Sequence, residues 1–454
     1  SVQFFFYKIF VILYNILLFP IKFAVHVFSL LCYTSIMQYI RNVETQICYY
    51  GRVQRFFMET FEQIFLQIIH DACTNKTSSI AIAPQDMDAL LALVKDQSCV
   101  PYVLPYLNDK SRLEPLKYQT KLMILNYYQI DQFTRRIAAL FEVNQIPYVL
   151  LKGISLAAFY PVSEYRKLGD VDLYINEKEQ FDRAGKLLLS NGFKKDDDVS
   201  DHHQGYLYTF PKTGRTLILE LHFRIVGLYQ YAPANQIVDA VFGFNAFQPE
   251  HQVINGTTYP VLPPTQYTFY MLHHMLKHYL YSGFGIRLLC DFTFYLEHFY
   301  SQIDFDQIHS WCHDSKILHL YEIILETCRI YLGLSETVDP TVHYDRKDCE
   351  SFIQQLLVGG DVNKANAAAL VGSTSYNRIT PFTYLKEGHL QMHVRFPKLG
   401  KCPLLWPALW IITFVCFLHN TYTLRNTTLK ETLRSFKQDN QRSKLLRIFD
   451  NTDD

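Results

Sequence analysis

The chain has 454 residues, with 43 Lys plus Arg against 43 Asp plus Glu and a formal net charge of zero. That length suffices for two or three domains, since domains run to about 100–200 residues. A neutral balance supplies no basic field for a general nucleic-acid binder. Ten cysteines without a C-x-x-C pair show neither a structural-zinc pattern nor a dense disulfide pattern, and they read as reduced core thiols of a cytoplasmic protein.

Residues 1–57 stand apart from the rest. Ser1 to Ile40 carries only Lys8 and Lys22 as charges. It holds two apolar runs, Ile9 to Ile21 (broken at Pro20) and Phe23 to Ile40, the second at the short end of what crosses a bilayer. Phe, Ile, Leu and Tyr, residues with AT-rich codons, dominate it, and the chain opens on Ser1. The segment is expected to be either a membrane anchor through residues 9–40 or an extension foreign to the functional protein.

Residues 58–144 read as a helical lead-in domain. Phe61, Ile64, Phe65, Ile68 and Ile69 recur at the spacing of one helix face. Asp86 to Val94 is a second helix, Pro101 and Pro105 mark a loop, and Leu116 to Asn144 holds one long helix or two shorter ones. The domain shows no acid–base pair, so its residues are assigned to packing.

Residues 145–230 hold the chemistry. An apolar run, Tyr148 to Leu151, leads into Lys152, Gly153, Ile154 and Ser155, a strand end followed by a helix start whose free backbone N–H groups suit a phosphate. Then comes Gly169 to Ile175, in which Asp170 and Asp172 alternate with Val171, Leu173 and Ile175. On a strand this puts both carboxylates on one side, close enough to share a cation. In Leu217 to Ile225 the same alternation groups Ile218, Glu220, His222 and Arg224, and a core does not explain a carboxylate in mid-strand. A phosphate cradle, paired metal ligands and a third acid are the parts of metal-assisted nucleotidyl transfer. Lys152 and Arg166 are the nearest cations for a polyphosphate, unless Arg166 pairs with Asp170 or Asp172. His222 either orients Glu220 or makes a single structural hydrogen bond. Between the two acidic strands, Asn176 and Glu179 suggest a capping box and Gly192 a helix stop. Lys194 to Asp201 reads as a charged loop rather than a cation site. His202 and His203 precede a strand, Tyr206 to Phe210, and Pro211 to Gly214 makes a hairpin turn into the Glu220 strand.

As a set, LKGISLAAFYP, YRKLGDVDLYI and LELHF resemble the bacterial "uncharacterised nucleotidyltransferase" family of the DNA polymerase beta-like superfamily, over about Met58 to Pro397. The resemblance implies a small mixed sheet, with Gly153 and Ser155 at the loop (split by Ile154), Asp170 and Asp172 as the acid pair, and Glu220 as the third acid. It also implies a nucleotide-side helical domain containing an Arg–Asp helix, matched here by Arg287 and Asp291.

Residues 231–400 are read as mainly helical. Ala232 to Pro264 is a connection with weak strand character. Helices follow at Thr265 to Tyr281, Ile286 to Tyr300, Ile303 to Asp314, Leu318 to Leu332 and Cys349 to Val358. His274 and His278 lie one turn apart, a metal spacing without a visible third ligand. In 401–454, the apolar stretch 402–419 with Pro403 and Pro407 reads as a membrane-surface or buried helix, followed by a charged tail.

The expected architecture is therefore α+β, a small mixed-sheet nucleotidyltransferase core flanked by N- and C-terminal helical domains. The expected activity is transfer of a nucleotidyl group from an NTP to a hydroxyl of a small molecule, sugar or protein, with one or two Mg²⁺ ions (Mn²⁺ as substitute) and a link to surface-polysaccharide metabolism. The competing expectation is a catalytically silent nucleotide-binding or scaffold protein on the same fold, since fold alone does not fix function. Any membrane association is expected through residues 9–40 or 402–419.

Overall fold

A computed structural model describes residues 58–196, 200–229, 231–281 and 284–359, together with 389, 392, 393, 396, 399 and 402–413. All of the following concerns the unit Glu59–Asp454. The expectations for residues 1–57, for Asp197 and Asp198, for most of 360–401 and for the charged tail fall outside the described residues.

Among the described residues, seven strands form one mixed sheet: β1 (Val149–Leu150), β2 (Val171–Tyr174), β3 (Lys194–Lys195), β4 (His203–Thr209), β5 (Thr216–His222), β6 (Glu250–Ile254) and β7 (Thr257–Val261), in the order β3-β4-β5-β2-β1-β7-β6. β2 runs parallel to β5 and β1 parallel to β7, while the other neighbours are antiparallel. The parallel register sets Asp172 opposite Glu220 and Tyr174 opposite His222. The antiparallel one sets His203 opposite His222.

The helices are α1 (Thr60–Cys73), α2 (Pro84–Asp96), α3 (Val100–Val103), α4 (Lys110–Val143), α5 (Ile154–Ala157), α6 (Lys178–Ser190), α7 (Ala232–Phe242), α8 (Pro264–Tyr281), α9 (Ile286–Phe299), α10 (Phe305–Asp314), α11 (Leu318–Leu332) and α12 (Arg346–Gly359). α1 begins in a capping box between Glu59 and Glu62 and buries Phe61, Phe65, Ile68 and Ile69, four of the five positions its periodicity predicts, with Ile64 partly exposed. Leu116 to Asn144 forms a single helix, α4, capped by Asp109, whose side chain accepts from Ser111 N at 2.9 Å. Its Tyr127, Ile130, Phe133, Ile137 and Phe141 pack on Leu150, Leu173, Leu219 and Tyr208, which closes one face of the sheet. Around Pro101 and Pro105 the chain forms α3 and a 3₁₀ turn instead of an open loop, because proline is tolerated in the first turn of a helix.

Two further stretches differ from the sequence reading. α6 starts after Glu177 rather than Asn176, and the Asn176 amide instead donates to Gly243 O at 3.1 Å. Ala232 to Pro264, read as a weakly stranded connection, contains α7 and the β6–β7 hairpin, so the sheet extends beyond 145–230. The hairpin turn is Asn255–Gly256, both with positive φ (47° and 79°), as a two-residue turn that matches strand twist requires.

The lead-in helices pack on the C-terminal ones. The Gln97 amide donates to Leu356 O at 3.0 Å and Leu357 O at 3.1 Å, and its Oε1 accepts from Ile286 N at 2.8 Å. These bonds satisfy a fully buried side chain and tie α2 to α9 and α12. Among the described residues no helix is long and apolar enough to cross a membrane. Of 402–419 only 402–413 is described, and there Trp410, Ile411 and Ile412 are exposed.

Candidate active site

β1 ends at Leu150, and the chain then runs through Leu151 and Lys152 and turns through Gly153 at φ 86° into α5. That conformation strains any residue bearing a Cβ, which would also meet Asp170 O at 3.7 Å. Gly153→Val should therefore distort the loop and weaken nucleotide binding by about tenfold or more, about 1.4 kcal/mol. Isothermal titration with an NTP on folded variant checks this, and unchanged affinity would move the phosphate site elsewhere. Ser155 departs from expectation. It is fully buried, and its hydroxyl bonds Leu151 O and Tyr267 Oη (2.8 Å to the latter), because α5 turns that side chain toward α8 and away from the loop's open side. Its backbone stays in the loop.

The acids gather where β2 and β5 run side by side. Asp172 is fully buried, and its Oδ1 lies 3.0 Å from His222 Nε2 and 3.3 Å from Lys152 Nζ. Glu220, half-buried, places Oε2 3.5 Å from the same His222 nitrogen and Oε1 3.8 Å from His203 Nε2. One donor atom from each of Asp172, Glu220 and His222 lies within 4.8 Å of the others. Asp170 precedes β2 and faces the adjoining cavity. Asp172 Oδ2 is buried with no hydrogen-bond partner, and so is His222 Nδ1. A carboxylate oxygen buried at such cost beside a second carboxylate fits a divalent cation.

The electrostatics follow from this crowding. Burial pushes the Asp172 carboxyl up to about 6, and the charge of Asp170 adds to it against the pull of Lys152 and His222. Lys152 is held well above its usual range, because Asp172 and Asp170 outweigh the cost of its burial. Glu220 moves the other way. Despite burial, the His222 hydrogen bond and the Lys152 charge hold it far below the ordinary carboxylate range. Burial lowers His202 to about 4.

These groups border a cavity of about 610 Å³, within the range of small-ligand sites. Lys152, Gly153, Asp170, Glu220 and His222 line it, whereas Asp172 does not border it and contacts two residues that do, Lys152 and His222. α8 also borders the cavity with His274, Lys277 and His278, and α9 with Arg287. His274 Nε2 stands 3.4 Å from Lys152 Nζ and 3.0 Å from His278 Nε2. Burial and the Lys152 charge bring Lys277 down to about 8. The sequence points to the two histidines and to Arg287 but not to Lys277, for which the i, i+3, i+4 spacing of 274, 277 and 278 is the signal.

Arg166 lines the cavity but pairs with neither Asp170 nor Asp172. Its Nε and Nη2 donate to Asp291 Oδ1 and Oδ2, both at 2.7 Å, and Tyr160 Oη donates to the same carboxylate at 2.6 Å. The helical Arg287–Asp291 pair is looser, at 4.0 Å.

A β2–β5 acid pair beside a glycine turn and a cation-walled cavity marks a nucleotidyltransferase architecture. The chain belongs to the family described as "Uncharacterised nucleotidyltransferase", whose model matches residues 83–333, more than half its length. No curated protein matches the chain. Among solved structures it is similar to an antigenic nucleotidyltransferase-like protein of Paracoccidioides brasiliensis, at 15% identity over 49% of this chain and 96% of that one, with a TM-score of 0.29. It is also similar to MenT4, a nucleotidyltransferase toxin of Mycobacterium tuberculosis, at 14% identity over 57% of this chain and 88% of that one, with a TM-score of 0.24.

Proposed function

We propose that this chain is a Mg²⁺-dependent nucleotidyltransferase that moves a nucleotidyl group from an NTP to a hydroxyl acceptor. The observation that carries the reading is the register pairing of Asp172 with Glu220 on adjacent parallel strands, with one oxygen of Asp172 buried and unpartnered beside the cavity. Asp170, Asp172 and Glu220 are the residues that would hold one or two metal ions. When bound, a divalent ion neutralises charge on the phosphates.

The chain's own groups take the remaining roles. Gly153 lets the backbone approach the phosphates. Lys152 neutralises polyphosphate charge, with Lys277 and Arg287, which line the same cavity. Arg166, with two donors committed to Asp291, acts through its charge more than as a clamp. Glu220 completes the metal site on the side of the acceptor hydroxyl. Such a reaction needs positioning and charge neutralisation rather than a nucleophilic side chain. Zero net charge favours a small-molecule or sugar hydroxyl, as in surface-polysaccharide synthesis, over a nucleic-acid end.

The test is transfer of label from an α-phosphate-labelled NTP to acceptors in a cell extract, with and without Mg²⁺. Labelling that needs both Mg²⁺ and the acids supports the reading. The second reading, a silent nucleotide-binding protein, draws on one observation: Lys152 and His222 already neutralise Asp172 from within the chain. Nucleotide binding that is indifferent to Mg²⁺ and yields no labelled product would establish it instead.

A further inference from the structure

The cavity floor holds more imidazole than an all-oxygen ion uses. His222 Nε2 faces two carboxylates at once, Asp172 Oδ1 at 3.0 Å and Glu220 Oε2 at 3.5 Å. A single N–H accounts for one of these contacts but not for both, nor for the buried, unpartnered Asp172 Oδ2. Ligand atoms about 2.0–2.2 Å from a shared ion stand roughly 3.0–3.5 Å apart along octahedral or tetrahedral edges, which is the spacing of the two contacts that His222 Nε2 makes, and the three donors lie within 4.8 Å of one another. His222 is 4% exposed and fixed on β5 by its register opposite Tyr174 and His203, so its ring has little freedom to leave.

Resting on the nucleotidyl-transfer reading for the location of the centre, we infer that His222 is a direct ligand of the ion held by Asp172 and Glu220. The centre then binds Co²⁺ or Zn²⁺, and Mn²⁺ to a lesser degree, more tightly than Mg²⁺, with Mg²⁺ still able to support transfer. Hard Mg²⁺ takes oxygen donors and retains its waters, whereas imidazole suits the later divalent metals. His202 and His203 also bring donor atoms within 4.8 Å of His222. The assignment nevertheless stops at His222, because Lys277 Nζ lies 2.7 Å from His202 Nε2 and His203 stands farther from the carboxylates, at 3.8 Å.

The test uses the full chain with Mn²⁺ as the probe. Pulsed paramagnetic resonance of bound Mn²⁺ should show coupling to a directly bound nitrogen, and heavy-nitrogen-labelled histidine in the otherwise unchanged protein should alter that coupling. His222→Gln should abolish the coupling and weaken Mn²⁺ binding by at least about tenfold, with Mg²⁺ affinity little changed. His202→Gln, His203→Gln, His274→Gln and His278→Gln should each retain the coupling, which assigns the ligand by elimination among the cavity histidines even where His222→Gln does not fold. No Mn²⁺ binding, binding without histidine-nitrogen coupling, or coupling that survives in His222→Gln would overturn the inference. Mg²⁺-supported labelling by a protein whose Mn²⁺ lacks a nitrogen ligand would end this inference and leave nucleotidyl transfer standing. A nitrogen-ligated ion in a protein that neither binds nor turns over NTP would do the reverse.

Discussion

Asp172→Asn should remove nucleotidyl transfer, at least about a hundredfold, and abolish thermal stabilisation by divalent ion plus NTP, while leaving the metal-free melting temperature unchanged or higher. The sign follows from the carboxyl's environment. Its value is raised from 3.8 to about 6 by burial and by Asp170. At about 1.4 kcal/mol per unit, that places a penalty of about 3 kcal/mol on the ionised form in the folded state. A carboxyl raised on folding contributes stability that is present below its unfolded value and is lost as pH rises through the folded one. Wild type should therefore lose stability relative to Asp172→Asn between about pH 4 and 6. His202, lowered to about 4, acts in the opposite sense over the same window, since an imidazole that resists protonation in the fold loses stability as pH falls. For that reason the measurement is the difference in melting temperature between wild type and variant across the window, not the profile of either alone. A divalent ion that binds only the native state offsets the penalty by mass action, and the variant should forfeit that response. Glu220→Gln should retain part of the nucleotide-linked metal response while losing transfer. A variant that melts lower without metal and still responds to ligand would show Asp172 to be structural.

The strands that carry the acids were legible because alternation is a strong signal over four to eight residues and both stretches have it. The sequence did not show how deep the acids lie. A D-x-D strand suggests a solvated acidic edge, yet β5 covers β2 on one side and β1 on the other, and all four residues of β2 are buried. Nor does alternation say that His222, two residues beyond Glu220, reaches across the parallel register to Asp172; that contact exists only once β2 and β5 are aligned. The β6–β7 hairpin is a different case. Asn255–Gly256 between β-prone residues is a strong two-residue turn signal, but Pro260 and the exposed, polar edge of β6 obscured it. Ser155 illustrates a third limit. Its position in the loop was readable, but which way its hydroxyl points is settled by Tyr267 on α8, more than a hundred residues away.

Asp291→Asn should have the contrary signature, a large loss of stability with the ligand response intact. Arg166 and Asp291 are each 3% exposed, joined by two parallel bonds of 2.7 Å, with Tyr160 donating to the same carboxylate. The Asp291 charge outweighs the effect of burial and holds the Arg166 guanidinium above even its usual range, so no accessible pH releases it. Removing the carboxylate's charge leaves a guanidinium buried without its counter-ion, which costs about 3–5 kcal/mol when one partner of a buried pair is lost. In a chain of this size that corresponds to a fall of roughly 3–5 °C in melting temperature. The pair links the loop before β2 to α9, so the loss should appear equally with and without nucleotide. The double variant Arg166→Met, Asp291→Leu should recover most of the stability, because replacing both charges with apolar groups of similar volume removes the desolvation cost together with the attraction. Differential scanning calorimetry of the wild type, the single variant and the double variant decides the matter. If Asp291→Asn melts like wild type but binds NTP more weakly, Arg166 is a substrate clamp that Asp291 merely aims, and the pair is part of the nucleotide site rather than of the scaffold beneath it.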